Sequence, residues 1–219
     1  MFREWAGALA NGIEVCPVHL PGESLREECA TNVDDLVPVM ANALLPYFDR
    51  PFALFGHSMG AIIALELLRY LQRERGPGAV HLFVSARSAP GVAREEAPLH
   101  SLPQAELVHQ LKLLNGTPQE VLDNEDLLEI LLPRLRADFQ LNETYAYQPG
   151  EPLQCPITAF AGSEDSRARP DQMREWARQT TGKFSFQILP GGHFFLQTER
   201  TALLKSIGAA LAADMANFG

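Results

Sequence analysis

Ser58 lies in Gly56-His57-Ser58-Met59-Gly60, between the apolar run Phe52-Ala53-Leu54-Phe55 and the pattern Ala61-Ile62-Ile63-Ala64-Leu65-Glu66-Leu67-Leu68. A serine hydroxyl is a poor nucleophile at neutral pH. It needs a base to take its proton, usually a histidine, and a carboxylate to orient that histidine. Gly-x-Ser-x-Gly between a strand and a helix is the nucleophile-elbow pattern, in which the serine sits on a tight, strained turn. Strand and helix approach closely there, so a side chain at either glycine is expected to clash. The helix start would direct N–H groups and the positive end of its dipole at an anion formed beside the serine. The rival reading is a glycine-rich strand-to-helix turn with an inert serine; the apolar strand before and the amphipathic helix after favour the elbow.

Six histidines compete for the role of base. His57 adjoins the serine, where its side chain should diverge from the hydroxyl. His19 and His81 fall in or beside strand patterns, and His100 and His109 in a helical stretch. Only His193 sits in a glycine-rich loop, Pro190-Gly191-Gly192-His193, after a late strand. For the acid, Asp165 follows the strand pattern Pro156–Ala161 and precedes His193. Glu164 is the nearest competitor, and Asp138 and Asp171 are weaker ones, since a carboxylate at a helix start often serves only the dipole. Serine, acid, histidine, each in a loop after a strand, is the order of the α/β-hydrolase arrangement. The Met59 backbone N–H follows the nucleophile and is the expected oxyanion donor. A second donor normally comes from an early glycine-rich loop after a strand, and nothing before Gly22 fits.

The elements that must position these residues read as follows. Phe2–Leu9 suggests a short helix and Glu14–Leu20 a strand closed by Pro21-Gly22. Val33, Leu36, Val37, Met40, Leu44 and Leu45 recur at helical spacing; Pro38 inside that pattern suggests a late start, with Pro38 in the first turn. A helix over about Ala61–Arg73 stops at Gly76-Pro77-Gly78, and Val80–Ser85 reads as a buried strand, giving a βαβ unit and a parallel sheet. From about Glu95 to Tyr147 no strand pattern is visible; two leucine-rich helical patterns flank Gly116-Thr117-Pro118, a composition suited to a lid. The sheet resumes at Pro156–Ala161, then a helix near Pro170–Gln179, a strand Phe184–Leu189 and a helix over Glu199–Met215. The expected architecture is α/β: a mostly parallel sheet with helices on both faces, residues 1–94 and 148–219 forming the α/β-hydrolase core and 95–147 a helical lid insertion.

A chain of 219 residues with 46% apolar and 21% charged residues fits one globular domain with an insertion. The formal net charge of −9 disfavours nucleic acid and anionic membrane as partners. No stretch approaches the roughly 18 apolar residues of a membrane span, and the N-terminus shows no signal-peptide run. Cys16, Cys29 and Cys155 match no zinc spacing and read as thiols of a reducing cytoplasm. No cofactor or metal is implied.

With these residues in hand, the chain resembles the type II thioesterases that accompany polyketide and nonribosomal peptide synthetases. The matching stretches are Leu20-Pro21-Gly22-Glu23, Arg50 through Ala61, Phe83-Val84-Ser85, Leu132-Pro133-Arg134-Leu135-Arg136-Ala137-Asp138, Cys155-Pro156-Ile157-Thr158, Gly162-Ser163-Glu164-Asp165 and Leu189-Pro190-Gly191-Gly192-His193-Phe194. The resemblance implies hydrolysis of acyl or aminoacyl groups from the phosphopantetheine arm of carrier proteins, clearing stalled or mis-primed synthetases. It places Ser58, Asp165 and His193 on the family's triad positions and Glu95–Tyr147 on its mobile lid.

Two departures stand out. Glu23 follows Gly22 where the family usually has an arginine, and the next arginine is Arg26. The family also begins with a strand and a Phe-Pro-x-Ala-Gly-Gly-type loop that supplies the second oxyanion donor; here Met1-Phe2-Arg3-Glu4-Trp5 aligns with the helix just after that loop. Loss of one such donor typically costs about 10²–10³ in turnover. The alternatives are a general carboxylesterase or acyl-CoA thioesterase, and a catalytically weak carrier-protein-binding module. Carrier proteins are generally acidic, so docking on this acidic chain calls for a basic patch. Arg167, Arg169 and Arg174 are candidates, against the plainer reading of scattered solvated charges.

Overall fold

The computed structural model describes residues 2–9, 12–22, 28–93, 97–114 and 116–216. Glu23, Arg26 and Glu95 lie outside the described residues. In chain order the elements are α1 (Val33–Leu44), β1 (Ala53–His57), α2 (Met59–Arg73), β2 (His81–Ser85), α3 (Gln104–Leu114), α4 (Gln119–Leu122), α5 (Glu125–Thr144), β3 (Ile157–Gly162), α6 (Pro170–Arg174), β4 (Phe184–Leu189), α7 (Phe195–Thr198) and α8 (Arg200–Met215). Short 3₁₀ turns occupy Phe2–Trp5, Leu45–Tyr47 and Glu175–Gln179.

The chain divides into two compact units. One comprises Met1–Val18, Val37–Val92 and Gln148–Gly219; the other comprises His19–Leu36 and Ala93–Tyr147. The first carries a four-stranded sheet in the order β1-β2-β3-β4, parallel throughout. Every residue of the central strands β2 and β3 is buried, whereas β1 and β4 at the edges are partly exposed. Parallel strands covered by helices need continuous apolar runs, and Leu82-Phe83-Val84 and Ile157 through Ala161 supply them.

α2 forms because its apolar face outweighs its poor start. Ile62, Ile63, Leu65, Leu67, Leu68 and Leu71 are all buried, each contributing about 1.5–3 kcal/mol. That exceeds the roughly 1 kcal/mol that Gly60 costs in a helix. The helix ends in a Schellman motif: Gly76 N–H donates to Leu71 O at 2.8 Å and Arg75 N–H to Gln72 O at 3.3 Å. The left-handed residue of that motif is Arg75, at φ 55°, rather than the glycine that follows it. Phe83, Phe160, Leu189, Phe195, Leu203, Leu204 and Ile207 belong to one core cluster that ties the sheet to α7 and α8.

Glu14–Leu20 is not a strand. A strand exists only by pairing, and the described ladders join β1 to β4 among themselves. Val15 instead packs against the core cluster from irregular backbone, and Val18 is exposed. Nor does Pro38 open its helix. α1 begins at Val33 with Pro38 inside it, capped by Asn32, whose Oδ1 accepts from Asp34 N–H at 2.7 Å. Burial of Val33, Leu36, Val37 and Ala41 carries the helix through the missing proline donor. The predicted helix over Phe2–Leu9 is a single 3₁₀ turn, Phe2–Trp5.

In the second unit α3, α4 and α5 enclose Leu99, Leu107, Leu111, Leu122, Leu128 and Leu132. The Glu143 carboxylate accepts from the backbone N–H groups of Leu99 and His100, at 2.9 and 3.0 Å, and lies 2.6 Å from His100 Nδ1. Among the described residues no helix is long and apolar enough to cross a membrane.

Candidate active site

β1 ends at His57, and the chain turns at Ser58 with φ 53° and ψ −117° before α2 begins at Met59. A non-glycine residue at positive φ is strained, and here the strain lifts the serine onto the turn between strand and helix. The two glycines of the motif are not equivalent. A Cβ at Gly56 would lie 2.2 Å from Gly60 O and 2.5 Å from Ala61 N, whereas one at Gly60 would meet nothing within 4 Å. The expectation of a clash at either position therefore holds for Gly56 alone, because Gly56 faces the first turn of α2 and the Cβ direction at Gly60 opens into space. Met59 is the first residue of α2, so its N–H has no acceptor one turn back within the helix.

The carboxyl ends of β3 and β4 supply the other groups. Gly162 closes β3 and Leu189 closes β4, and the loops after them are joined by hydrogen bonds. Ser163 N–H donates to Leu189 O at 2.8 Å and Glu164 N–H to Gly191 O at 2.9 Å. A Cβ at Gly162 would meet Gly191 O and Gly192 O at 2.6 Å, so only glycine lets the two loops close on each other.

Ser58, His193 and Asp165 come together there. His193 Nε2 lies 3.0 Å from Ser58 Oγ, and His193 Nδ1 lies 2.9 Å from Asp165 Oδ2. An ionised carboxylate only accepts, so Nδ1–H donates to Asp165 and Nε2 is left to accept the Ser58 O–H. Asp165 is 3% exposed. Its other oxygen accepts from Arg167 N–H at 2.9 Å and Ala168 N–H at 3.3 Å. Burial pushes this carboxyl up, but the hydrogen bond and charge of His193, with the two backbone donors, outweigh it and hold Asp165 below the usual carboxylate range.

The competitors lie elsewhere. Glu164 is exposed. Asp138 pairs with Arg134 along α5 at 3.8 Å, and Asp171 is exposed beside Arg169 at 3.4 Å. His81 is buried between Asp214, at 2.6 Å from Nδ1, and Thr158 Oγ1, at 2.8 Å from Nε2. His100 is held by Glu143, and His19 and His109 are exposed. His57 diverges from the Ser58 hydroxyl as expected: its Nδ1 lies 3.0 Å from Ser85 Oγ. Burial, reinforced by the charge of His193 and only partly offset by Asp165, lowers its pKa to about 3, so the ring is neutral at working pH.

Sequence reasoning missed Ser85. It ends β2 opposite His57, and its carbonyl accepts from Ser58 N–H at 2.8 Å. No local signal marks it, since its partners are set by the strand register. Of the arginines offered as a docking patch, Arg169 lies beside Asp171 and Arg174 stacks over the Phe186 ring at 4.3 Å. Among the described residues no group of three histidine, cysteine or acidic side chains is placed to hold a metal ion.

The sequence profile described as the thioesterase domain matches residues 1–211. The protein named linear gramicidin dehydrogenase LgrE, from Brevibacillus parabrevis, is 42% identical over 223 residues, covering 100% of this chain and 85% of that protein. This chain contains no Gly-x-Gly-x-x-Gly run of the dinucleotide-binding kind. Gramicidin S biosynthesis protein GrsT, from Aneurinibacillus migulanus, is 40% identical over 206 residues, covering 93% of this chain and 80% of that protein. Among solved structures, the type II thioesterase BorB from the borrelidin biosynthetic cluster matches with a TM-score of 0.87 at 38% identity, over 96% of this chain and 86% of its own.

Proposed function

The chain belongs to the thioesterase domain family, among the type II thioesterases of polyketide and nonribosomal peptide pathways, and from that premise we propose that Ser58, His193 and Asp165 carry out its thioester hydrolysis. The substrates in this reading are acyl or aminoacyl thioesters on the phosphopantetheine arm of a carrier protein, and the role is the clearing of stalled or mis-primed synthetases. The observation that carries the reading is the pair of hydrogen bonds through one imidazole, 3.0 Å to Ser58 and 2.9 Å to Asp165.

The chemistry follows from those contacts. His193 Nε2 takes the Ser58 proton as Oγ bonds to the thioester carbonyl carbon, and the carbonyl oxygen becomes an oxyanion. Met59 N–H donates to it at the start of α2, where the helix dipole favours negative charge. Asp165 holds the imidazole in the required tautomer and stabilises the imidazolium. The tetrahedral intermediate collapses, the C–S bond breaks, and the thiol leaves with the proton from His193. Water then loses a proton to His193 and attacks the acyl-serine; the acid is released and Ser58 regains its proton. A thiolate leaves more readily than an amine, so the base does less work at this leaving group than in amide hydrolysis.

The assignment of residues 95–147 as a lid is part of the same proposal; proteolysis of that stretch slowed by a bound acyl analogue would support it. The decisive test of the triad is Ser58→Ala assayed on an acyl-carrier substrate, with acyl-CoA and nitrophenyl esters in parallel. Hydrolysis is expected to disappear with the fold intact, and the carrier-bound substrate is expected to turn over fastest. Undiminished hydrolysis by Ser58→Ala refutes the mechanism, and a preference for free acyl-CoA or esters refutes the substrate class. Carrier binding by a wild-type chain whose Ser58 resists a serine-directed phosphonate would favour a binding module instead.

A further inference from the structure

We propose that His57 is a positioning residue for the base: through its bond to Ser85 and its contact with the His193 ring, it fixes the separation between the nucleophile elbow and the histidine loop. The inference rests on the triad reading above.

Three observations lead to it. Ser85 grips the elbow twice, its carbonyl accepting from Ser58 N–H at 2.8 Å and its hydroxyl lying 3.0 Å from His57 Nδ1. Ser85 is itself fully buried at the end of β2, so it is a fixed anchor. The His57 ring also lies beside three successive rings, two in the histidine loop and one opening α7: His193 at 5.3 Å between ring centroids, Phe194 at 5.7 Å and Phe195 at 6.3 Å. One imidazole thus spans from β2 to the loop that carries the base. Finally, His57 Nε2 is enclosed and has no hydrogen-bond partner among the described residues. A buried polar atom left unpaired costs free energy. A phenylalanine would fill the same space without that penalty, but could not bond Ser85. The penalty is accepted where the Nδ1 bond and the ring are needed together.

The ring is suited to this role because it stays uncharged. Burial keeps His57 neutral, so it does not repel the imidazolium that forms on His193 during turnover. A permanently charged side chain at this place would oppose that charge.

The test is a double-mutant cycle. Ser85→Ala removes the anchor, and His57→Phe removes the bond while keeping a ring against His193. Each is assayed on an acyl thioester of N-acetylcysteamine, with active serine titrated by a fluorophosphonate so that turnover is counted per competent site. A misplacement of about 1 Å costs on the order of 10²-fold, so losing one anchor is expected to lower kcat about tenfold with KM unchanged. The double variant is expected to be no slower than either single one, because both remove the same contact. His57→Asn, whose amide reaches Ser85 in place of Nδ1, is expected to recover part of the loss. Unchanged kcat per titrated site in both single variants overturns the inference, as does a double variant whose defects multiply. Ser58→Ala run alongside separates the two levels: if it also retains turnover, the hydrolase reading fails; if it is dead while Ser85→Ala and His57→Phe are fully active, only the role of His57 falls.

Discussion

Gly56→Ala and Gly60→Ala look alike in the motif and differ in the fold. A methyl at Gly56 would sit 2.2 Å from Gly60 O, 2.4 Å from Gly60 C and 2.5 Å from Ala61 N. Ordinary carbon contacts begin near about 3.5 Å, so the overlap is about 1.3 Å. All three neighbours are backbone atoms, and no rotamer change relieves them. The first turn of α2 must shift by roughly the overlap, taking Ser58 and Met59 with it. Overpacking of this kind costs about 1–3 kcal/mol, or about 2–12 °C in Tm at about 2–4 °C per kcal/mol for a domain of this size. A displacement on the order of 1 Å at the nucleophile also costs about 10²-fold in rate. At Gly60 a methyl meets nothing within 4 Å, and exchanging glycine for alanine within a helix gains up to about 1 kcal/mol. Thermal unfolding followed by circular dichroism, with the second-order rate of Ser58 labelling by a fluorophosphonate, reads both effects. Gly56→Ala is expected to melt earlier and label about 10²-fold more slowly, and Gly60→Ala to melt no earlier and label at a rate near wild type. A Gly56→Ala protein that melts and labels like wild type would refute the steric account of the elbow.

Arg75→Gly is expected to raise stability by about 0.5–1 kcal/mol, since a left-handed residue with a side chain costs about 1–2 kcal/mol and part of that relief is returned as glycine's unfolded-state entropy. Urea unfolding measures it, and a destabilised variant would show that Arg75 makes compensating contacts. The pH dependence of stability follows from the buried imidazoles. Burial lowers His57 from 6.5 to about 3 and lowers His81 as well. Below pH 6.5 the unfolded chain takes up protons that the folded rings refuse. Their contribution is therefore complete above 6.5 and falls as pH drops toward the folded values, by at most about 1.4 kcal/mol per pH unit for each ring. Asp165 acts lower: its carboxyl is held below 3.8, so its contribution is present above that value and lost as pH falls through the folded one. Between pH 4.5 and 6.5, roughly the window left to the imidazoles, His57→Phe is expected to flatten the slope by up to one proton in urea unfolding, and an unchanged slope would remove this assignment.

Much of the fold was legible because it is written locally. α2, β2 and β4 follow from apolar runs, periodicity and glycine breaks within a dozen residues. The misreadings share a cause. Glu14–Leu20 has the composition of a strand, but pairing belongs to the sheet rather than to the segment, and these residues have no ladder. Pro38 argued for a late helix start, yet the buried face on both sides of it carries α1 through.

The candidate site divides the same way. Ser58 is set by its own neighbours: strand, glycine, serine and helix lie in one short stretch, so the sequence alone determined where a nucleophile would stand and that a late loop histidine and a preceding carboxylate were the groups to seek. Which imidazole and which carboxylate meet it was decided by the sheet, because parallel order brings the ends of β1, β3 and β4 to one edge and joins residues 135 and 28 positions apart. The anchoring of His57 by Ser85, and the unequal need for the two glycines of the motif, depend on register and on the angle at which α2 leaves β1. Those are distances between segments, and no local spacing along a chain encodes them.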